Sequence, residues 1–240
     1  MSTYLQLAEK LRQNVPDIGG TPLVTVANQT GRMQQGINWL ADAYSDIQNR
    51  AANWRWLKSQ FTFNTVAGTN NYAWSGITDS RLSALITRFA RWVPLDDRGY
   101  PNMKRYLTST GIAAEGWLSL LVWNDFKKVY LFGARTLNQG SPIHVTIDPQ
   151  NQLLLGMKPN DIYTITGEYM MGPQILAADG DTPEMPVRFH DLIMYRAMEK
   201  IAIDLSATEL LDRARTEGMR LMRALEAEQL PTITTGEPLV

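Results

Sequence analysis

Residues 33–63, MQQGINWLADAYSDIQNRAANWRWLKSQFTF, change periodicity part-way along, and the change decides how the rest of the chain is read. Met33, Ile37, Leu40, Tyr44, Ile47 and Ala51 recur in alternating steps of four and three, which sets them in one narrow apolar seam of a helix. Trp54, Arg55 and Trp56 follow at once. Phe61 and Phe63 then alternate with Thr62 and Asn64, the period of a strand with two unlike faces. No chemistry requires a seam, a Trp-Arg-Trp step and a strand in succession. The arrangement reads as a joint where a helical part of the chain meets a β part, with Trp54, Arg55 and Trp56 as its hinge.

Outward from the joint, both ends of the chain read as helical. Tyr4, Leu7, Ala8 and Leu11 give a first helix over 3–14, broken by Pro16, Gly19, Gly20 and Pro22. Thr30 stands where the seam helix needs its N-cap, and that helix should end near Ala52 or Asn53. Strands are expected around 57–66 and 86–93, with turn residues Gly68, Asn70, Asn71 and Gly76 between them. The spacing of Leu118, Leu121, Val122, Trp123 and Phe126 predicts a helix over 112–130. Ile143, Val145 and Ile147 alternate with His144, Thr146 and Asp148; with 153–155 and 162–170 they predict a small antiparallel sheet. After a loop punctuated by Pro183 and Pro186, helices are expected over 187–205 and 208–229. Leu211, Ala214, Gly218, Leu221 and Leu225 line one side of the last. The fold expected is α+β: a helical bundle from residues 1–55 and 186–230, an inserted antiparallel β-rich region with one helix over 56–185, and an extended tail over 231–240.

The bulk numbers exclude several classes. A chain of 240 residues can bury about three-quarters of its unfolded surface in one large domain or two small ones, so no staple is needed. A net charge of −1, from 23 basic and 24 acidic residues, lacks the basic excess of a dedicated nucleic-acid binder. The apolar runs, such as 118–123, fall far short of the ~20 residues that span a bilayer. Residues 1–10 read as an amphipathic helix start, not a signal sequence. With no cysteine, thiolate catalysis, zinc–thiolate sites and disulfides are ruled out. This fits a reducing compartment or a protein that persists outside cells.

Catalytic groups are scarce. His144, on the polar face of a strand, reads as an ordinary exposed histidine, and His190, at a helix start, as a packing or hydrogen-bonding one. Neither belongs to a His-x-x-x-His pair, so no metal site is expected. Asp179, Asp181 and Glu184 lack the further ligands of a calcium loop, and a loop held by aspartate turns is the better account. Asp96, Asp97, Arg98 and Gly99 read as a hairpin turn. No phosphate-cradling glycine motif occurs. Trp54 and Trp56 could stack bases, but near-zero charge favours their anchoring the hinge, with the Arg55 guanidinium on an indole face. No catalytic residue, cofactor or metal is assigned.

Four stretches in order resemble the head-to-tail adaptor (connector) proteins of tailed bacteriophages, particularly the tail-tubular type of short-tailed phages. They are Ile37-Asn-Trp-Leu-Ala-Asp-Ala-Tyr44 on to Trp54-Arg-Trp-Leu57 and Phe61-Thr-Phe63; Trp123-Asn-Asp-Phe126 to Tyr130 and Gly133; Gly140-Ser-Pro-Ile-His-Val145 into Ile162-Tyr-Thr-Ile-Thr-Gly-Glu-Tyr169; and Asp179-Gly-Asp-Thr-Pro183 with Pro186, Phe189 and His190. The resemblance implies a non-enzymatic virion protein of the neck, assembled in the host cytoplasm. It implies a cyclic ring of twelve copies on the portal protein, with the tail nozzle or tail tube protein on its other side. Genomic DNA would pass through the lumen unbound, and no membrane is involved. The tail 231–240, with Pro231, Ile233, Pro238 and Leu239, is expected to become ordered on docking to a partner. Two other classes compete: a tail-associated hydrolase using paired carboxylates, and a DNA-end-binding factor.

Overall fold

The computed structural model describes residues 2–18 and 20–230. Its helices are α1 (Tyr4–Asn14), α2 (Gly31–Asn49), α3 (Trp123–Tyr130), α4 (His190–Asp204) and α5 (Thr208–Gln229). The longer strands are named with the short ones in chain order: β1 (Lys58–Asn64), β2 (Asn71–Tyr72), β3 (Thr78–Asp79), β4 (Ala84–Leu85), β5 (Arg91–Val93), β6 (Lys104–Leu107) and β7 (Gly116–Trp117). They continue as β8 (Ser119–Leu120), β9 (Gln139–Gly140), β10 (His144–Ile147), β11 (Leu153–Gly156), β12 (Lys158–Pro159) and β13 (Tyr163–Met170). Helices with mainly antiparallel sheets, in which only β8–β10 and β9–β12 pair parallel, make this an α+β fold. Contacts divide the chain into a helical unit, Met1–Leu57 with Pro173–Val240, and a β unit, Lys58–Gly172.

In the helical unit, Thr3 and Gln6 start α1 with a reciprocal capping box, each side chain bonding the other's backbone N–H. Tyr4, Leu7, Ala8 and Leu11, the face read from the sequence, are buried. Along α2 the seam residues Ile37, Leu40, Tyr44 and Ile47 are buried, and Gly36, Ala43 and Gln48 widen the stripe. Gly36 lets α1 and the 3-10 turn after it come close: a Cβ there would lie 3.4 Å from Leu11 Cδ2 and 3.1 Å from Ile18 Cδ1. Helix α4 packs against α1, α2 and α5, and eight of its fifteen residues are buried, so it forms the centre of the bundle. Ser206, at φ +53, turns α4 into α5. The N–H groups of Ser206 and Ala207 bond Ile203 and Ala202 carbonyls, a Schellman motif with serine where glycine is usual.

The β unit is built around β13. Strand β1 pairs antiparallel with all of it, from Lys58 opposite Met170 to Asn64 opposite Thr164. On the other edge β6 covers the first half of β13 and β5 the second. The order β4-β3-β1-β13-β6-β7, with β5 beside β13, makes a seven-stranded sheet; β2-β11-β10-β8 makes a second of four strands. One core joins Phe61, Trp92, Ile165 and Tyr169 from the first sheet with Val145, Leu153 and Leu155 from the second. Gly167, opposite Phe61, is obligatory: a Cβ there would fall 2.8 Å from the Phe61 ring and 2.9 Å from Met103.

Several sequence expectations shift. The helix expected over 112–130 is only α3. Residues 112–120 form a 3-10 turn, β7 and β8, because Gly111 takes φ +75 and Leu118 turns inward to the core, leaving alternating rather than helical positions. The strand expected over 86–93 survives as β5 alone. Helix α2 stops at Asn49, three residues short of the expected end. Residues 173–185, read as part of the inserted region, sit with the helices. Gln174 bonds Tyr44 and Gln48, while the Asp179 and Asp181 carbonyls accept the first N–H groups of α1.

Candidate interaction surfaces

At the joint, Trp54 is fully buried and its indole N–H reaches the carbonyls of Ile47 and Gln48, both at 3.1 Å. Both carbonyls belong to the last turn of α2, where Ile47 otherwise accepts a long 3.4 Å bond from the Arg50 N–H, so the side chain completes the helix end. Trp56 stacks on it at 4.5 Å between ring centroids, and its own indole nitrogen has no hydrogen-bond partner among the described residues. Arg55 is exposed and reaches the Glu228 carbonyl at 3.4 Å instead of lying on an indole face as expected. The tail residues Pro231, Ile233, Pro238 and Leu239 lie outside the described residues.

The ionisable groups that could carry chemistry are tied into structure. His144 is half-buried and bonds the Tyr130 hydroxyl through Nδ1 at 2.6 Å, so its strand face is covered by α3 where the alternation predicted solvent. His190 is buried with Nε2 at 3.0 Å from the Met185 carbonyl, and burial lowers its pKa. Asp181 accepts N–H groups from Ala177 and Ala178, which hold its carboxyl below the ordinary aspartate value; Asp179 Oδ1 accepts from Val26. The pair is a structural clasp onto α1 and the segment before α2. Among the described residues no cluster of histidines and carboxylates could hold a metal ion, and no helix is long and apolar enough to cross a membrane.

Asp79 is the acid that the sequence reading passed over, since nothing local marks it. It is completely buried, and its two oxygens accept from Ser59 Oγ, Tyr169 Oη, Arg81 N and Leu82 N at 2.6–3.0 Å. Burial opposes ionisation, but the donors outweigh it and hold the carboxyl below its ordinary value. With both oxygens accepting two internal bonds each, it offers nothing to a substrate.

What the surface offers is apolar. Around α3, Val122, Val129, Phe132, Leu137 and Ile143 are exposed within about twenty residues of chain, and only Phe126 of the helix itself is buried. Lys127, Lys128 and Arg135 stand among them. The sequence did carry a signal: apolar residues from Leu121 to Phe132 occupy more of the helix circumference than one core face can use. Such a surface suits binding, not catalysis.

Residues 2–235 match the family model described as SU10 adaptor protein. The chain belongs to that family. It is therefore a phage head–tail adaptor, a structural protein of the virion neck that works between portal and tail proteins. No curated protein matches the adaptor.

Proposed function

We propose that the adaptor is of the tail-tubular type of short-tailed phages and assembles as a cyclic ring of twelve copies on the portal vertex. The ring receives the tail nozzle or tail tube on its other side, and the genome is retained and then ejected through its lumen. The observation that carries this reading is the family match over nearly the whole chain. Surface chemistry supports it. Val24, Ile112, Phe132, Leu137 and Ile175 are each more than 70% exposed, apolar area of the kind that subunit contacts bury. A net charge of −1 suits a conduit, because each phosphate contact would add affinity and hold the genome back. On this reading the helical unit faces the portal, the β unit faces the tail, and Pro231, Ile233, Pro238 and Leu239 bind the portal or a neighbouring subunit. Electron microscopy of the purified protein mixed with portal particles tests the ring: twelve-fold density at the vertex is expected, and portal left bare at micromolar adaptor would overturn it. Deleting 231–240 should abolish that density; unchanged binding would remove the tail from the interface.

A further inference from the structure

Near-neutral charge conceals a division. The β unit holds eleven Lys and Arg against eight Asp and Glu, a net of +3; the helical unit holds twelve against sixteen, a net of −4. Each unit also carries a concave surface of about 670 Å³. The one on the β unit is bounded by Lys127, Lys128, Leu131 and Phe132, beside the exposed Val129 and Leu137. The one on the helical unit lies where α1 ends and α4 turns into α5. Val15, Pro16, Leu205, Ala207 and Leu210 line it with two acids, Asp17 and Glu209, and one base, Arg213, which bonds Asn14 Oδ1 at 3.0 Å, so its own lining carries a net of −1.

The two surfaces are opposite in charge and alike in apolar character. Lys127 stacks on Trp123 and makes no ion pair among the described residues; Lys128 reaches only Asp125, at 3.5 Å and in open solvent. Glu209, and Asp212 one turn further along α5, likewise make no ion pair there. Glu209 is already well placed against the α5 dipole in the first turn, but Asp212 lies beyond that turn and has no such reason to be acidic. Phe132, 74% exposed, is the largest apolar side chain on the basic surface and can bring the area of an aromatic anchor into a pocket.

Resting on the ring reading, we propose that neighbouring copies join head to tail through these two surfaces. Phe132 and Leu131 of one copy enter the α1–α5 groove of the next, and Lys127 and Lys128 meet Glu209 and Asp212. The occupant is a second copy because this chain itself supplies the complementary surface. Contacts of β unit with β unit, or of helical unit with helical unit, would set like charges together. A contact between two different surfaces is also the kind that a cyclic ring repeats.

The lack of cysteine makes the test clean. In rings assembled on portal particles, Phe132→Cys with Leu210→Cys should give a ladder of adaptor multimers with a short bismaleimide, and neither single variant should. Lys127→Glu with Lys128→Glu should raise the concentration needed for assembly about tenfold or more, and Glu209→Lys with Asp212→Lys on the same chain should restore it. Rings seen by electron microscopy without a ladder and without charge-swap rescue overturn this interface and leave the ring standing. Crosslinking of Phe132→Cys to portal protein overturns it in favour of another occupant. Portal left bare by the wild-type adaptor overturns both readings.

Discussion

A carboxylate with no exposed surface stays ionised only while donors replace its water, and Asp79 has four of them. Asp79→Asn keeps the shape but turns one acceptor into a donor facing Ser59 and Tyr169 or two backbone N–H groups. The β unit should lose about 2–4 kcal/mol at pH 7, read as a lower urea midpoint. The sign of the pH dependence follows from the depressed native pKa. The stabilisation is complete above the unfolded value near 3.8 and is lost as pH falls through the lower native value. The gap between wild type and Asp79→Asn should therefore shrink as pH falls below the unfolded value; a constant gap would show that the charge is not what stabilises. Gly167 makes a steric argument at the same scale. Gly167→Ala drives a methyl into Phe61 and Met103 and should cost about 1–3 kcal/mol. Gly76→Ala, with open space around the added atom, should stay within about 0.5 kcal/mol.

Helix ends show how local bonding sets an element. Ser206 holds a left-handed conformation that costs a residue with a Cβ about 1–2 kcal/mol. Since glycine gives part of that back as entropy lost on folding, Ser206→Gly should stabilise the helical unit by about 0.5–1 kcal/mol, visible as a raised thermal midpoint. Trp54→Phe should do the opposite by about 2 kcal/mol, since it removes the donor that closes α2 and part of a buried ring pair. Elements whose pattern is local were legible in the sequence: the α1 face, the α2 seam, and an α5 whose ends match the expected 208 and 229. Elements decided by distant partners were not. Leu118 and Leu121 fit a helical spacing, but Leu118 N–H bonds the Met103 carbonyl and Leu121 N–H bonds that of Val145. The docking chemistry divides in the same way. Exposed apolar residues around α3 are visible in the sequence as an excess, but that Phe132 is outside and Phe126 inside depends on packing.

For the molecule as a whole, the question is whether each unit carries its own stability. Every residue of the core that joins the two sheets lies within Lys58–Gly172, and the helix pairs α1–α2, α1–α4, α2–α4 and α4–α5 all lie within the other unit. At 115 and 125 residues, each is long enough to bury a core without a staple. The chain enters the β unit at Lys58 and leaves just after Met170, and these two residues face each other across the β1–β13 pair. Antiparallel partners stand about 5 Å apart, so the ends of the insertion are already close and a short linker can replace it at little entropic cost. A chain with 58–172 replaced by a few Gly and Ser residues should keep a helical circular-dichroism spectrum and unfold in one cooperative transition. The fragment 58–172 should fold alone with its buried tryptophan signal intact. A helical unit that keeps its helix content but melts without cooperativity would mean that α4 needs the β unit to fix its packing, and the two units would then be one folding unit that the chain merely visits twice.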